Sequence, residues 1–207
     1  MKTHSRIPVY LLTVVLVSVV AISPSQAQPN CGDPPDVLIV LDRSGSMASK
    51  VGIKSKWSHA VSAVNQLVQS FTGQIRFGLM LFPAKSSSCA AGGIDVGVGP
   101  AAAGPVASTL SSSFPKGDTP IATSLAKARN YLLGVDPGKT KYVLLVTDGS
   151  ETCGGKPVTS VQQLSGAQIK TYVVGFGSGV NQSQLNSMAT AGGTGQPFQA
   201  DSPAQLN

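Results

Sequence analysis

A doubly wound α/β fold is predicted for this 207-residue chain by three observations. Short apolar runs rich in Val, Ile and Leu alternate with stretches of helical periodicity, the order that builds a parallel sheet. The runs are continuous rather than alternately polar, as expected of strands buried on both faces. Two of them, in Asp36–Asp42 and Tyr142–Asp148, stop abruptly at an aspartate, and in open parallel sheets ligands bind outside the carboxyl ends of the strands.

Taken in order, the chain opens with a basic Met1–Arg6, a nearly unbroken apolar run from Val9 to Ile22, and a small-x-small pattern at Ser25-Gln26-Ala27. This is the make-up of a secretory signal peptide over residues 1–27, cut after Ala27. The run is short of the ~20 apolar residues of a spanning helix, so no stable membrane span is expected after cleavage. The expected destination is secreted, periplasmic or at the cell surface. Gln28-Pro29-Asn30 lacks the small apolar residues that a lipoprotein anchor on Cys31 would need. Residues 28–35 form a short linker and 36–207 one domain; the 180 residues left after cleavage suit a single core.

Asp36–Asp42 is the first strand. Trp57, Ala60, Val61, Val64, Leu67, Val68 and Phe71 then recur at helical spacing as one apolar stripe, closed by Gly73. His59 falls on the opposite side of that helix and is expected in solvent. Ile75–Phe82 is a strand in which Gly78 suits a bend or close approach. Pro83–Gly93 reads as loop, Ile94–Val98 as a short strand, and Ala101–Ser113 as a weak helix or irregular stretch. Asp118-Thr119-Pro120 opens a helix, capped by Asp118 or Thr119, with Ile121, Leu125, Ala128 and Leu132 on its buried face. A turn at Asp136–Lys139 leads to the strand ending at Asp148. Val158–Leu164 is a short helix, Ile169–Gly177 a buried strand, Asn181–Thr190 a helix and Gln196–Ala200 a last short strand. Asp201-Ser202-Pro203 looks like the start of one more helix.

Asp42, Ser44 and Ser46 stand at alternate positions after the first strand, with Gly45 letting the loop turn tightly. A carboxylate and two hydroxyls, with no Cys or His beside them, offer only oxygen, which favours Mg²⁺, Mn²⁺ or Ca²⁺ over zinc. Helix capping by Ser44 or Ser46 is the competing reading. Two further segments complete the pattern: Lys116–Ile121, carrying Thr119 at a Thr-Pro helix start, and Tyr142–Gly149, carrying Asp148. Together they resemble the metal-ion-dependent adhesion site of the von Willebrand factor A family, in its bacterial secreted type. The likeness runs over almost everything from Asp36 to Ala200, with Asp42, Ser44, Ser46, Thr119 and Asp148 in the family's five positions and Asp118 where the family often has Gly.

The resemblance implies a mostly parallel sheet with Ile94–Val98 as one antiparallel edge strand, helices on both faces, and a final helix covering the sheet. It implies that this chain stops before that helix, leaving an apolar face uncovered. It further implies a divalent cation, Mg²⁺ first with Mn²⁺ or Ca²⁺ as alternatives, touched directly by the serines and the threonine and partly through water by the aspartates. A cation so held is under-neutralised and seeks an outside anionic oxygen, best the Asp or Glu carboxylate of a protein partner.

Composition narrows the alternatives. The net charge of +6 falls to +4 once Lys2 and Arg6 leave with the signal, and no Lys/Arg cluster interleaves with aromatics, so nucleic acid is not an expected partner. Three cysteines permit one bridge. Cys89 follows the second strand and Cys153 lies just beyond Asp148, both near the carboxyl edge, whereas Cys31 precedes the first strand. Opposite edges are separated by roughly 17–20 Å, and a disulfide needs Cα atoms within about 7 Å, so Cys89–Cys153 is the expected bridge. The leading expectation is a non-enzymatic binding module. Its rivals are metal-dependent hydrolysis of esters or phosphate esters, with Asp118 or Glu151 as the only nearby bases, and a purely structural cation.

Overall fold

The computed structural model describes residues 32–84, 89–177 and 179–200. The expected signal peptide, Cys31 and the helix start at Asp201 lie outside them. The elements run β1 (Asp36–Asp42), β2 (Lys50–Val51), β3 (Lys54–Ser55), α1 (Lys56–Ser70), β4 (Arg76–Phe82), β5 (Gly93–Gly99), α2 (Ala103–Ser111), α3 (Ile121–Gly134), β6 (Lys141–Thr147), α4 (Pro157–Gly166), β7 (Lys170–Phe176), α5 (Gln182–Ala191) and β8 (Phe198–Ala200).

Six strands form the main sheet in the order β5-β4-β1-β6-β7-β8. All neighbours are parallel except β4 and β5, which are antiparallel. This is the expected α/β architecture with its one antiparallel edge. Successive residues of the central strands face opposite sides, and the core divides accordingly. Ile39, Leu41, Leu79 and Leu81 pack with Trp57, Val64 and Val68 of α1 and Val106 and Leu110 of α2. Leu38, Val40, Met80, Val143 and Leu145 pack with Leu125 and Leu132 of α3, Val161 and Leu164 of α4, and Leu185 and Met188 of α5. On the α1 side, an apolar groove of about 330 Å³ opens between Leu67, Phe77, Leu144 and Tyr172.

The strand order positions the site. From β1 the chain crosses through α1 to β4 on one side, while β6 pairs with β1 on the other, so the connections diverge between β1 and β6. Ligand crevices form at such switch points, and here the last residue of β1 is Asp42 and the residue after β6 is Asp148.

Several local expectations are corrected. Phe71 is the C-cap of α1 and is 40% exposed, because the helix ends before the apolar stripe completes. His59 is half-buried rather than in solvent: its Nε2 lies 3.1 Å from the Val51 carbonyl oxygen, and its ring stands 6.0 Å from that of Phe176. The small β2–β3 hairpin supplies that carbonyl, and its two-residue strands are too short to leave a periodic signal. Ala103–Ser111 is regular helix. Neither Asp118 nor Thr119 caps α3, whose N-cap position is taken by Pro120, a residue with no capping side chain of its own.

Candidate functional site

Three loops meet above the carboxyl ends of β1 and β6. The first, after Asp42, enters a single 3₁₀ turn at Gly45–Ala48, and Ser44 at its N-cap makes no side-chain capping bond. The capping reading of Ser44 therefore fails. The second loop carries Gly117 to Pro120, and the third runs from Asp148 to Cys153. Backbone bonds tie the first pair together: Gly45 N–H donates to the Gly117 carbonyl at 2.9 Å and Lys116 N–H to that of Arg43 at 2.8 Å. Thr119 N–H donates to the Thr152 hydroxyl at 2.8 Å, and Thr152 N–H to the Thr119 carbonyl at 3.2 Å, which joins the second loop to the third.

Side chains complete the convergence. Asp42 is wholly buried; its Oδ1 accepts Ser44 N–H at 2.7 Å and its Oδ2 accepts the Thr147 hydroxyl at 2.6 Å. Ser46 donates its hydroxyl to Asp148 Oδ1 at 2.7 Å. The Ser44 and Ser46 hydroxyls lie 3.0 Å apart, which joins Ser44, Ser46 and Asp148 in one polar chain. Lys56 Nζ lies 2.7 Å from Asp148 Oδ2. Thr119 is 5% exposed, and its hydroxyl forms no hydrogen bond with another described residue.

Burial pushes the Asp42 carboxyl up to about 6, against the lowering effect of the bonds from Thr147 and Ser44, and the charge of Asp148 adds to the rise. Taking a carboxylate out of water without a cation is costly, so this group gains from any positive charge brought beside it.

Of the five residues singled out in the sequence, four form one hydrogen-bonded network and the fifth is held in the same loop cluster by backbone bonds. Sequence reasoning missed Thr147, Thr152 and Lys56. Nor did it foresee the role of Glu151, considered only as a base needing special placement: Oε2 accepts Ala122 N–H of α3 at 2.8 Å and Oε1 accepts Cys153 N–H at 2.9 Å. Glu151 is thus the cap of α3, delivered from another loop, and Thr119 is released from capping. Asp118 is exposed and caps nothing. A disulfide joins Cys89 and Cys153 with Cα atoms 5.5 Å apart, anchoring the Glu151 loop to the loop after β4.

A family model described as von Willebrand factor type A domain matches residues 36–207. The chain belongs to that family. A relative in sequence is the uncharacterized protein YwmD of Bacillus subtilis (strain 168), 30% identical over 202 residues that cover 93% of this chain and 88% of that one. Among solved structures, proximal thread matrix protein 1 from the mussel byssus, with a zinc-occupied metal-ion-dependent adhesion site motif, aligns at a TM-score of 0.66 with 20% identity, over 85% of this chain and 46% of that one. Manganese-loaded TRAP protein of Plasmodium vivax aligns at 0.62 with 19% identity, over 76% of this chain and 63% of that one. At these identities the likeness is one of fold, and this chain spans less than two thirds of either protein.

The donor set suits the hard divalent cation that the family implies. Asp42, Ser44, Ser46, Thr119 and Asp148 offer oxygen only, and the Thr119 hydroxyl is not committed to any described residue. Among the described residues no group of three or more His, Cys, Asp or Glu is placed to hold a metal, so a cation here depends on hydroxyls as much as on carboxylates.

Proposed function

We propose that this chain is an exported protein-binding module that captures an acidic side chain of a partner through a divalent cation, Mg²⁺ first with Mn²⁺ or Ca²⁺ as alternatives. Ser44, Ser46 and Thr119 hold the cation, and Asp42 and Asp148 stand behind it. The observation that carries the reading is the engagement of the aspartates: each of their four oxygens already accepts a protein donor. Such carboxylates favour outer-sphere contact, and hydroxyl ligands do not neutralise a dication. A bound cation supplies positive charge to an incoming carboxylate, which is the strongest anionic oxygen a protein partner presents. One structural neighbour carries zinc in its metal-ion-dependent adhesion site motif and the other is manganese-loaded, which supports a divalent metal on this fold.

A non-enzymatic role is favoured over hydrolysis because Glu151, one of the two nearby bases, is committed elsewhere and Asp118 is held by no described partner that would place it as a base. Both Glu151 oxygens hold backbone N–H groups, and the His59 ring lies on the Val51 carbonyl and Phe176. Among the described residues no helix is long and apolar enough to cross a membrane. Export rests on the signal pattern of residues 1–27, and mass spectrometry of the exported protein should find Gln28 as its first residue.

The test is retention of partners from the native extracellular fraction on the immobilised protein. Retention should occur in Mg²⁺ and vanish in chelator, in Asp42→Ala and in Asp148→Ala. Equal retention under all four conditions removes the metal from the mechanism.

A further inference from the structure

Lys56 is the first residue of α1, set by its N–H donating to the Ser49 carbonyl at 2.9 Å. From there its side chain reaches back to the loop cluster, ending 2.7 Å from Asp148 Oδ2. The Asp148 side chain is fully buried and that of Lys56 is 12% exposed, so this ion pair is shielded rather than a solvated surface contact. Gly177 leaves room along this path. A Cβ there would stand 2.9 Å from Lys56 Cε, and the backbone at Gly177 has φ +86, a conformation that disfavours other residues.

We propose that Lys56 is an internal counter-cation that weakens divalent metal binding while keeping the loaded site positive toward a partner's carboxylate. The inference rests on the metal reading above and adds a residue that the family pattern of five positions does not contain. Asp42 and Asp148 bring two negative charges and Lys56 removes one. A dication then enters a site with one net negative charge instead of two. Once loaded, the site carries a net positive charge instead of none. Ser46 Oγ is 2.7 Å from Asp148 Oδ1, so an ion held by Ser46 has Asp148 as its neighbour and shares that carboxylate with the ammonium. Two cations around one shielded carboxylate repel each other at short range, where salt screens little.

The experiment titrates Mg²⁺ and Mn²⁺ into the exported protein by calorimetry, for the wild type, Lys56→Met and Lys56→Arg, with thermal melts of each in chelator. Lys56→Met should bind both metals about tenfold more tightly, the loss of a short-range repulsion. Lys56→Arg, which keeps the charge, should stay within about threefold of the wild type. Binding by Lys56→Met alone, with the wild type silent, supports the same inference. Equal or weaker binding by Lys56→Met while the wild type binds overturns it and leaves the metal reading standing, as does tightening by Lys56→Arg to the same degree. Silence in all three proteins removes the metal reading and this inference together. Should Lys56→Met not fold in chelator, its melting is followed against Mn²⁺ concentration. Rescue below the wild type's half-saturating concentration supports the proposal, and no rescue overturns it.

Discussion

Asp42→Asn is predicted to stabilise the metal-free protein at neutral pH, although Asp42 lies at the centre of the site. The Asp42 carboxyl has no exposed surface and titrates near 6 instead of 3.8, chiefly because burial disfavours its charge. At 1.36 kcal/mol per unit, that difference costs the folded state about 3 kcal/mol wherever the group is ionised in both states. The sign follows from proton uptake. Between pH 3.8 and about 6 the folded protein holds a proton that the unfolded chain has lost, so this group's contribution is intact below 3.8 and declines as pH rises to about 6. Above that the penalty is constant. Asparagine keeps an oxygen for Ser44 N–H and turns an amide toward the Thr147 hydroxyl, which can accept as well as donate. The expected gain is therefore about 1–3 kcal/mol at pH 7.5 in chelator, several degrees in melting temperature for a domain this size. Urea unfolding of both proteins at pH 4, 5, 6 and 7.5 isolates the effect as a difference curve, cancelling groups common to both. Saturating Mn²⁺ should reverse the order, because the wild type alone gains from the ligand. A variant less stable than the wild type at pH 7.5 in chelator, or a difference unchanged from pH 4 to 7.5, refutes the reasoning.

Replacing Cys89 and Cys153 together by serine opens a 64-residue connection, and the chain-entropy model puts the loss at about 4 kcal/mol, measurable as a lower urea midpoint with a steeper slope as the unfolded chain expands. Glu151→Ala leaves the N–H groups of Ala122 and Cys153 without their partner and should cost about 1–3 kcal/mol. It should also weaken metal binding, since the α3 start carrying Thr119 loses its clamp, whereas Asp118→Ala, at an exposed residue, should leave both quantities within error.

The arrangement of secondary structure was readable because its causes are local. Continuous apolar runs mark strands buried on both sides, the 3.6-residue stripe marks α1, and Ile121, Leu125, Ala128 and Leu132 mark the buried face of α3. The antiparallel edge was not local in this sense. Ile94–Val98 has no feature that fixes its direction, and only the family resemblance supplied it. The hairpin at Lys50–Ser55 escaped because a two-residue strand has no period to detect.

The chain's own letters determined which residues have the chemistry for the site: two strand-terminal aspartates, two alternating serines and a threonine before proline. Their neighbours were decided only in three dimensions. Ser46 and Asp148 are 102 positions apart, and Lys56 and Asp148 are 92, so no periodicity links them. The same holds for the α3 cap, which local rules assign to Asp118 or Thr119 and the fold assigns to Glu151. A side chain's type is a property of the sequence, but its hydrogen-bond partner and the cost of its charge depend on which loops the sheet brings together. That is why the two carboxylates were legible, and why the burial of Asp42 and the ammonium on Asp148 were not.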